Sequence, residues 1–265
     1  MTTTYYDAAY GNFQTSLYQE IRREAFGEDI GQNSWLTAGE QDEFLSWLSL
    51  AAGKTLLDVA CGAGGPALRI AALTGCAITG VDVHEQAIST ARSLTSQRGL
   101  ESGAEFRVVD ADKPLPFPDS SFDAITCMDA INHLADRPRV LTDWARLLKP
   151  GGRVLFTNPA VVTGPLTNAE IAVRGSSGFY LFVPGGYDER VIVQCGMRVV
   201  ACEDRTPKLG EIAERRKNAR ESRSSALRQV EGDLAFEDRQ KFLSVVANLA
   251  REARLSRYVY VAEKT

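Results

Sequence analysis

From Thr55 to Thr157 the chain alternates between two patterns. Short, nearly continuous apolar runs fall at Thr55–Cys61, Ala77–Val83, Phe106–Val109, Ala124–Met128 and Arg153–Thr157, the last after a Lys149-Pro150-Gly151-Gly152 turn. Between them lie Pro66–Leu73, Glu85–Gln97 and Arg137–Leu148, which read as helices. Runs that are apolar throughout suit strands covered on both faces, so the alternation predicts an α/β fold with a doubly wound, mostly parallel sheet. Upstream, residues 1–55 read as helical and polar-aromatic, and Phe44, Leu45, Trp47 and Leu48 predict a helix over Gly39–Leu50 with one buried face. Downstream, Pro159–Gly186 is irregular, with a short helix around Asn168–Val173. A helix over Tyr187–Cys195 stopped by Gly196, a strand over Met197–Cys202, a charged helical stretch over Thr206–Leu255 and a last strand over Arg257–Ala262 follow. The expected organisation is a helical segment over 1–50, a sheet core over 51–158, and a helical insertion with the final strands over 159–265.

Composition narrows the partners. The 265 residues are 44% hydrophobic and carry a net charge of −4, which argues against nucleic acid, whose phosphates are held by a positive surplus. No apolar run is long enough to span a membrane, and the start MTTTYYDAAYGNF lacks the pattern of a secretory signal. The five cysteines never form a CxxC pair and read as buried free thiols in a reducing, cytoplasmic compartment. With only His84 and His133, no metal centre is expected. From Arg205 to Arg228 there are eight Lys/Arg against three Glu, and this excess reads as a solvated helix face. Oligomeric state leaves no trace in the pattern.

The chemistry gathers at the strand ends. Leu56-Leu57-Asp58-Val59-Ala60-Cys61-Gly62-Ala63-Gly64-Gly65-Pro66 is a strand, a glycine turn and a helix start, where the backbone can approach a ligand closely. Gly62, Gly64 and Ala67 also satisfy a relaxed dinucleotide fingerprint, so the glycines alone leave an NAD-dependent oxidoreductase open. Asp82 closes the second strand, where a carboxylate can accept both hydroxyls of a ribose, and Asp110 closes the third. Leu115-Pro116-Phe117-Pro118-Asp119-Ser120-Ser121-Phe122-Asp123 then leads into the fourth strand, a segment that a dinucleotide domain does not need.

In these segments the chain resembles the class I S-adenosylmethionine-dependent methyltransferases over about residues 50–160, and more loosely to its end. LLDVACGAGG, GVDV, VVDAD, LPFPDSSFDAI and LLKPGGRVLF are similar to that family's motifs and stand in its order. Ala60 occupies the place of the family's usual first glycine, which alanine suits where φ is negative. The resemblance implies a Rossmann-like sheet of seven strands with a helical N-terminal lid and an acceptor-side cap over 159–265. It implies S-adenosyl-L-methionine as cofactor, S-adenosyl-L-homocysteine as product, and no metal. The Cys61 and Gly62 carbonyls, with Asp58 nearby and the Gly64 turn, then face the methionine ammonium; Asp82 holds the ribose, Asp110 and the Ala111 N–H the adenine, and the Met128 carbonyl lies near the methionine moiety. Asp58 also reads as a cap of the turn, and Val83 either as a wall for the adenine or as core.

Methyl transfer needs an acceptor placed close to the methyl, with water excluded and its lone pair free. Cys127–Leu134 follows the fourth strand, at the carboxyl-end crevice where such sheets bind ligands. A helical turn beginning at Asp129 would put Asp129 and His133 on one face; in the other reading Asp129 caps the turn and His133 is a polar core residue. Asp129-Ala130-Ile131-Asn132-His133-Leu134 resembles the acceptor-site stretch of phosphoethanolamine methyltransferases, which implies His133 as general base and Asp129 as the amine-binding group. Those enzymes pair the histidine with an N-terminal tyrosine, whose place falls among Tyr10, Gln14 and Tyr18; Tyr18 is read as a residue of the acceptor site. The N-terminal aromatics, Tyr5 and Tyr6 among them, form either a lid or core, and Phe179 and Tyr180 with Phe182 either wall the acceptor or pack. The expected function is transfer of a methyl group to a nitrogen, or an oxygen, of a small molecule. A non-catalytic, cofactor-binding partner subunit is the other reading that keeps these motifs.

Overall fold

The computed structural model describes residues 10–265. Its first helices are α1 (Ser16–Phe26) and α2 (Ala38–Leu48), the latter opened by Thr37, whose hydroxyl accepts from the Glu40 amide. Then come β1 (Thr55–Val59), α3 (Gly65–Thr74), β2 (Ala77–Asp82), α4 (Glu85–Gln97), β3 (Ala104–Val108) and β4 (Phe122–Cys127). A single 3₁₀ turn, Ile131–His133, precedes α5 (Arg137–Leu147), which Asp136 caps. The strand β5 (Leu148–Val162), α6 (Asn168–Arg174), β6 (Val183–Pro184), α7 (Tyr187–Gln194) and β7 (Met197–Asp204) follow, then α8 (Thr206–Glu221), α9 (Ser224–Glu231), α10 (Asp233–Arg251) and β8 (Leu255–Lys264).

The sheet runs β3-β2-β1-β4-β5-β8-β7, with the short β6 beside the end of β5. All its pairings are parallel except those of β8, which lies antiparallel between β5 and β7. Leu56, Leu57 and Val59 of β1 are buried, as a central strand covered by helices requires. One apolar core lies under α2, α3 and α4; another lies under α5 and α7. A third joins Phe26 and Trp35 to the inner faces of α8 and α10, forming a helical cap. No helix among the described residues is long and apolar enough to cross a membrane.

Strand β5 departs from the sequence pattern at both ends. β5 runs well beyond Thr157, because its far end pairs with both β8 and β6 instead of entering an irregular stretch. The Lys149–Gly152 segment is absorbed at its start as a bulge, Phe122 pairing with Leu148 but Ala124 with Arg153. Of the cysteines, Cys61, Cys76 and Cys127 are buried, whereas Cys202 is exposed and Cys195 half-buried.

Candidate active site

Strand order reverses between β1 and β4, so the crevice opens at their carboxyl ends. Asp58 and Thr126 are partners across that junction, and the Thr126 hydroxyl donates to the Asp58 carboxylate at 2.7 Å. Burial pushes the Asp58 carboxyl up to about 7; the threonine bond opposes this and the nearby Asp82 charge adds to it. The turn that follows is left-handed at Ala60 (φ 56°), Gly62 (φ 56°) and Gly64 (φ 75°). Alanine therefore fills the first position with positive, not negative, φ and carries that strain as a non-glycine residue. A side chain on Gly62 would meet the Tyr10 hydroxyl at 2.7 Å, and one on Gly65 would meet the Ile30 carbonyl at 2.3 Å. Both glycines let the N-terminal segment lie directly on the turn.

Asp82 is buried at the end of β2 and joins the two halves of the nucleotide side. Its oxygens accept from the Gly62 amide at 2.9 Å and the His84 amide at 3.0 Å. Burial holds its carboxyl above the ordinary carboxylate range, with the His84 and Gly62 amides pulling the other way. A carboxylate has about four lone-pair positions, so capacity for two hydroxyls remains. Val83 beside it is 55% exposed and so is not a core residue. Asp110 stands in the adjoining loop, which the Val109 amide ties to the Asp82 carbonyl at 2.9 Å. Its carboxylate accepts from the Asp112 amide at 3.0 Å and pairs with Lys113 at 3.2 Å. Arg139 holds the Ala111 carbonyl at 3.2 Å, and Met128 lies half-buried beyond β4. An acid for a cation, an acid for a diol, a polar loop and an exposed aliphatic wall make a donor set that fits S-adenosylmethionine.

Asp129 does not begin a helix. It takes φ 55°, its amide donates to the Thr157 hydroxyl at 2.7 Å, and the 3₁₀ turn starts only at Ile131. Its carboxylate turns away into a buried ion cluster, accepting from Arg257 at 2.6 and 3.2 Å and from the Trp35 amide at 2.8 Å. Arg257 also pairs with Glu40 at 2.7 Å. The expected shared face of Asp129 and His133 is thus absent, because Arg257 neutralises the acid and turns it inward. Asp129 shapes the loop and is already engaged where an amine-binding acid would need open lone pairs.

His133 is half-buried at the end of the 3₁₀ turn, which buried Arg137 braces by donating to the Ile131 carbonyl at 3.2 Å. Nδ1 lies 2.9 Å from the Phe179 carbonyl. A carbonyl only accepts, so the neutral ring carries its proton on Nδ1 and its lone pair on Nε2. Burial keeps the imidazole below its ordinary range; the Phe179 bond opposes this and the Arg174 charge reinforces it. Phe179 therefore meets the histidine through its backbone, while its side chain is 54% exposed. Tyr180 meets His133 edge to face at 5.2 Å, and its hydroxyl accepts from Arg174 at 2.6 Å.

Residues 57–156 match the model of the methyltransferase domain family. The chain is 32% identical over 184 residues to the ubiquinone biosynthesis O-methyltransferase of Stutzerimonas stutzeri, covering 66% of this chain and 76% of that protein. The chain belongs to the S-adenosylmethionine-dependent methyltransferases. It is also 33% identical over 180 residues to methyltransferase GfsG of Streptomyces halstedii, covering 64% of this chain but 61% of that protein's length. Among solved structures, phosphoethanolamine N-methyltransferase 2 of Haemonchus contortus, in complex with phosphomonomethylethanolamine and S-adenosylhomocysteine, has a TM-score of 0.81 at 21% identity; the match covers 97% of this chain and 59% of that one and is a likeness of fold. Membership in this family removes the nicotinamide oxidoreductase left open by the glycines.

A cavity of about 670 Å³ lies between α1, α6, α8, α9 and α10. Tyr18 lines it, but its hydroxyl donates to Glu231, and burial with that carboxylate pushes the phenol well above its ordinary range. Tyr18 is thus engaged by Glu231, and no contact joins it to His133 in the described bonds and ring pairs. Tyr10 stands instead over the glycine turn, 6.0 Å from the His84 ring; Tyr5 and Tyr6 lie outside the described residues. Arg216 and Arg220 of the basic stretch line the cavity, and Arg220 is buried, so that stretch is not simply a solvated face.

Arg257, Glu40, Arg174 and Arg216 do not stand out as site residues in the amino-acid sequence. Arg257 had a signal, a charge inside the otherwise apolar run of β8. Arg174 and Arg216 had none, since an arginine on a charged helix reads the same facing water or a cavity.

Proposed function

We propose that this protein transfers a methyl group from S-adenosylmethionine to an oxygen or nitrogen of a small-molecule acceptor, with His133 as general base. The observation that carries this reading is the Phe179 carbonyl on Nδ1, which directs the basic lone pair of a neutral imidazole to Nε2. Asp129 had favoured an amine; with its carboxylate on Arg257, hydroxyl and amine acceptors stand equal.

The bound cofactor supplies an electrophilic methyl on a sulfonium. Asp58, behind the Cys61 and Gly62 carbonyls, offers negative charge to its ammonium. Asp82 accepts from the ribose hydroxyls, while Val83, Asp110 and Ala111 bound the adenine and Met128 borders the methionine moiety. Tyr10 and Phe13 close on the glycine turn and exclude water, which strengthens every charge interaction inside. His133 then accepts the acceptor's proton at Nε2, leaving the nucleophile's lone pair for the displacement.

A screen of the purified protein with methyl-labelled cofactor against amines, phenols and carboxylates tests the activity. His133→Ala should lower turnover of the best acceptor by about 10²–10⁴-fold and leave S-adenosylhomocysteine affinity nearly intact. The wild-type rate should fall as pH drops through a value below the ordinary histidine range, because the imidazole must be neutral. Unchanged turnover in the variant would return His133 to a packing role, and cofactor binding with no labelled product from any acceptor would favour a non-catalytic subunit.

A further inference from the structure

The cavity beside α1 is within the range of about 300–1,000 Å³ typical of small-molecule sites, and its charge is unevenly spent. Arg22 is held by Asp29 at 2.7 Å. Arg220 is held by Glu231 at 2.7 Å, and Glu231 also takes the Tyr18 hydroxyl. Arg216 has no such partner: among the described residues it makes no ion pair and faces the rings of Trp35 and Phe26 at 5.1 and 5.6 Å. Burial pushes its guanidinium down to about 10, with Arg220 and Arg22 adding repulsion. It remains a cation in neutral water, so a half-buried charge lines a largely apolar chamber without an ion-pair partner among the described residues.

The chamber adjoins the reaction centre on two sides. Phe13, on its wall, packs with Tyr10 and Ala63 at the glycine turn. Arg174 lies over Phe242 of the cavity wall and over Tyr180 beside His133, at 5.1 Å from each ring. We infer that the methyl acceptor is an amphiphile whose carboxylate or phosphate is bound by Arg216 in this cavity, while its apolar body lies against Phe13, Ile21, Phe26, Val173 and Phe242. The anion is a handle and not the nucleophile; the group to be methylated lies at the end nearer His133. This inference rests on the proposed methyl-transfer reading and names the acceptor class for it.

Calorimetric titrations of the full chain test it, first with S-adenosylhomocysteine and then, in its presence and its absence, with decanoate, decyl phosphate, decanol and decylamine. Saturable one-to-one binding of an anion about ten-fold or more tighter than decanol is expected, and the tighter of the two anions identifies the headgroup. Arg216→Met should erase the preference and Arg216→Lys keep part of it. Asp238→Asn, an exposed change on the cavity wall, should tighten the anions by about two- to three-fold by removing a like charge. Decanol binding as tightly as the anions, a preference for decylamine, or an unchanged anion preference in folded Arg216→Met would each overturn the inference. Failure of S-adenosylhomocysteine to bind would remove the methyl-transfer reading and with it the ligand's role as acceptor, whereas the anion site itself stands or falls separately, on the cofactor-free titration.

Discussion

Asp82 and Asp58 hold different parts of the cofactor in the proposed reading, the ribose diol and the ammonium, and their environments make the division measurable. Asp82 is pre-set by two backbone amides, so a ribose diol meets an oriented acceptor. Asp82→Ala should weaken S-adenosylhomocysteine by roughly 1–3 kcal/mol in a calorimetric titration, the cost of leaving those hydroxyls unpaired. Asp58, pushed up to about 7, is largely neutral in acid. A bound ammonium favours the ionised carboxylate, so binding lowers that value and releases a proton. Affinity should therefore fall as pH drops through about 7, and Asp58→Asn should flatten that dependence while weakening binding at pH 8. Asp82 contributes in the same direction, and the Asn variant isolates the Asp58 share.

Between elements, the buried cluster of Asp129, Arg257 and Glu40 ties together segments far apart in the chain. It links the loop after β4, strand β8 and helix α2, and the Trp35 amide adds the segment before α2. Its effect is to hold Met128 and the start of the His133 turn in one place. Arg257→Met leaves two buried carboxylates without their cation and should cost about 3–5 kcal/mol in urea unfolding. Much of this level was legible in the chain. The helix over Glu85–Gln97 coincides with the pattern read from sequence, and β1, β2 and β4 lie within a residue or two of theirs. Strand runs and glycine turns are local signals, read from neighbours in the chain. The Asp129 turn was not legible, because its conformation is decided by an arginine 128 residues away.

Across the whole molecule, the last strand completes the sheet from its interior. β8 lies between β5 and β7, so the chain's end supplies a middle strand and the cation of the buried cluster. A chain ending at Val162 would expose the edge of β5 and strand Asp129 and Glu40. It should show no cooperative calorimetric transition and should aggregate, whereas the full chain should unfold as a unit. The cap behaves differently: α8 and α10 pack mainly on each other and on α1, and the cavity they enclose follows from that packing. The order of strands and helices, the glycine turn, the acid that ends β2 and the one in the loop just after β3 were determined by the amino-acid sequence alone, since each depends on residues adjacent in the chain. Which charges meet, that Asp129 serves Arg257, that Arg216 faces a chamber and that a carbonyl fixes the His133 proton, was decided only by tertiary structure. Those partners come from distant segments, and no local pattern encodes which of many similar charges will be desolvated together.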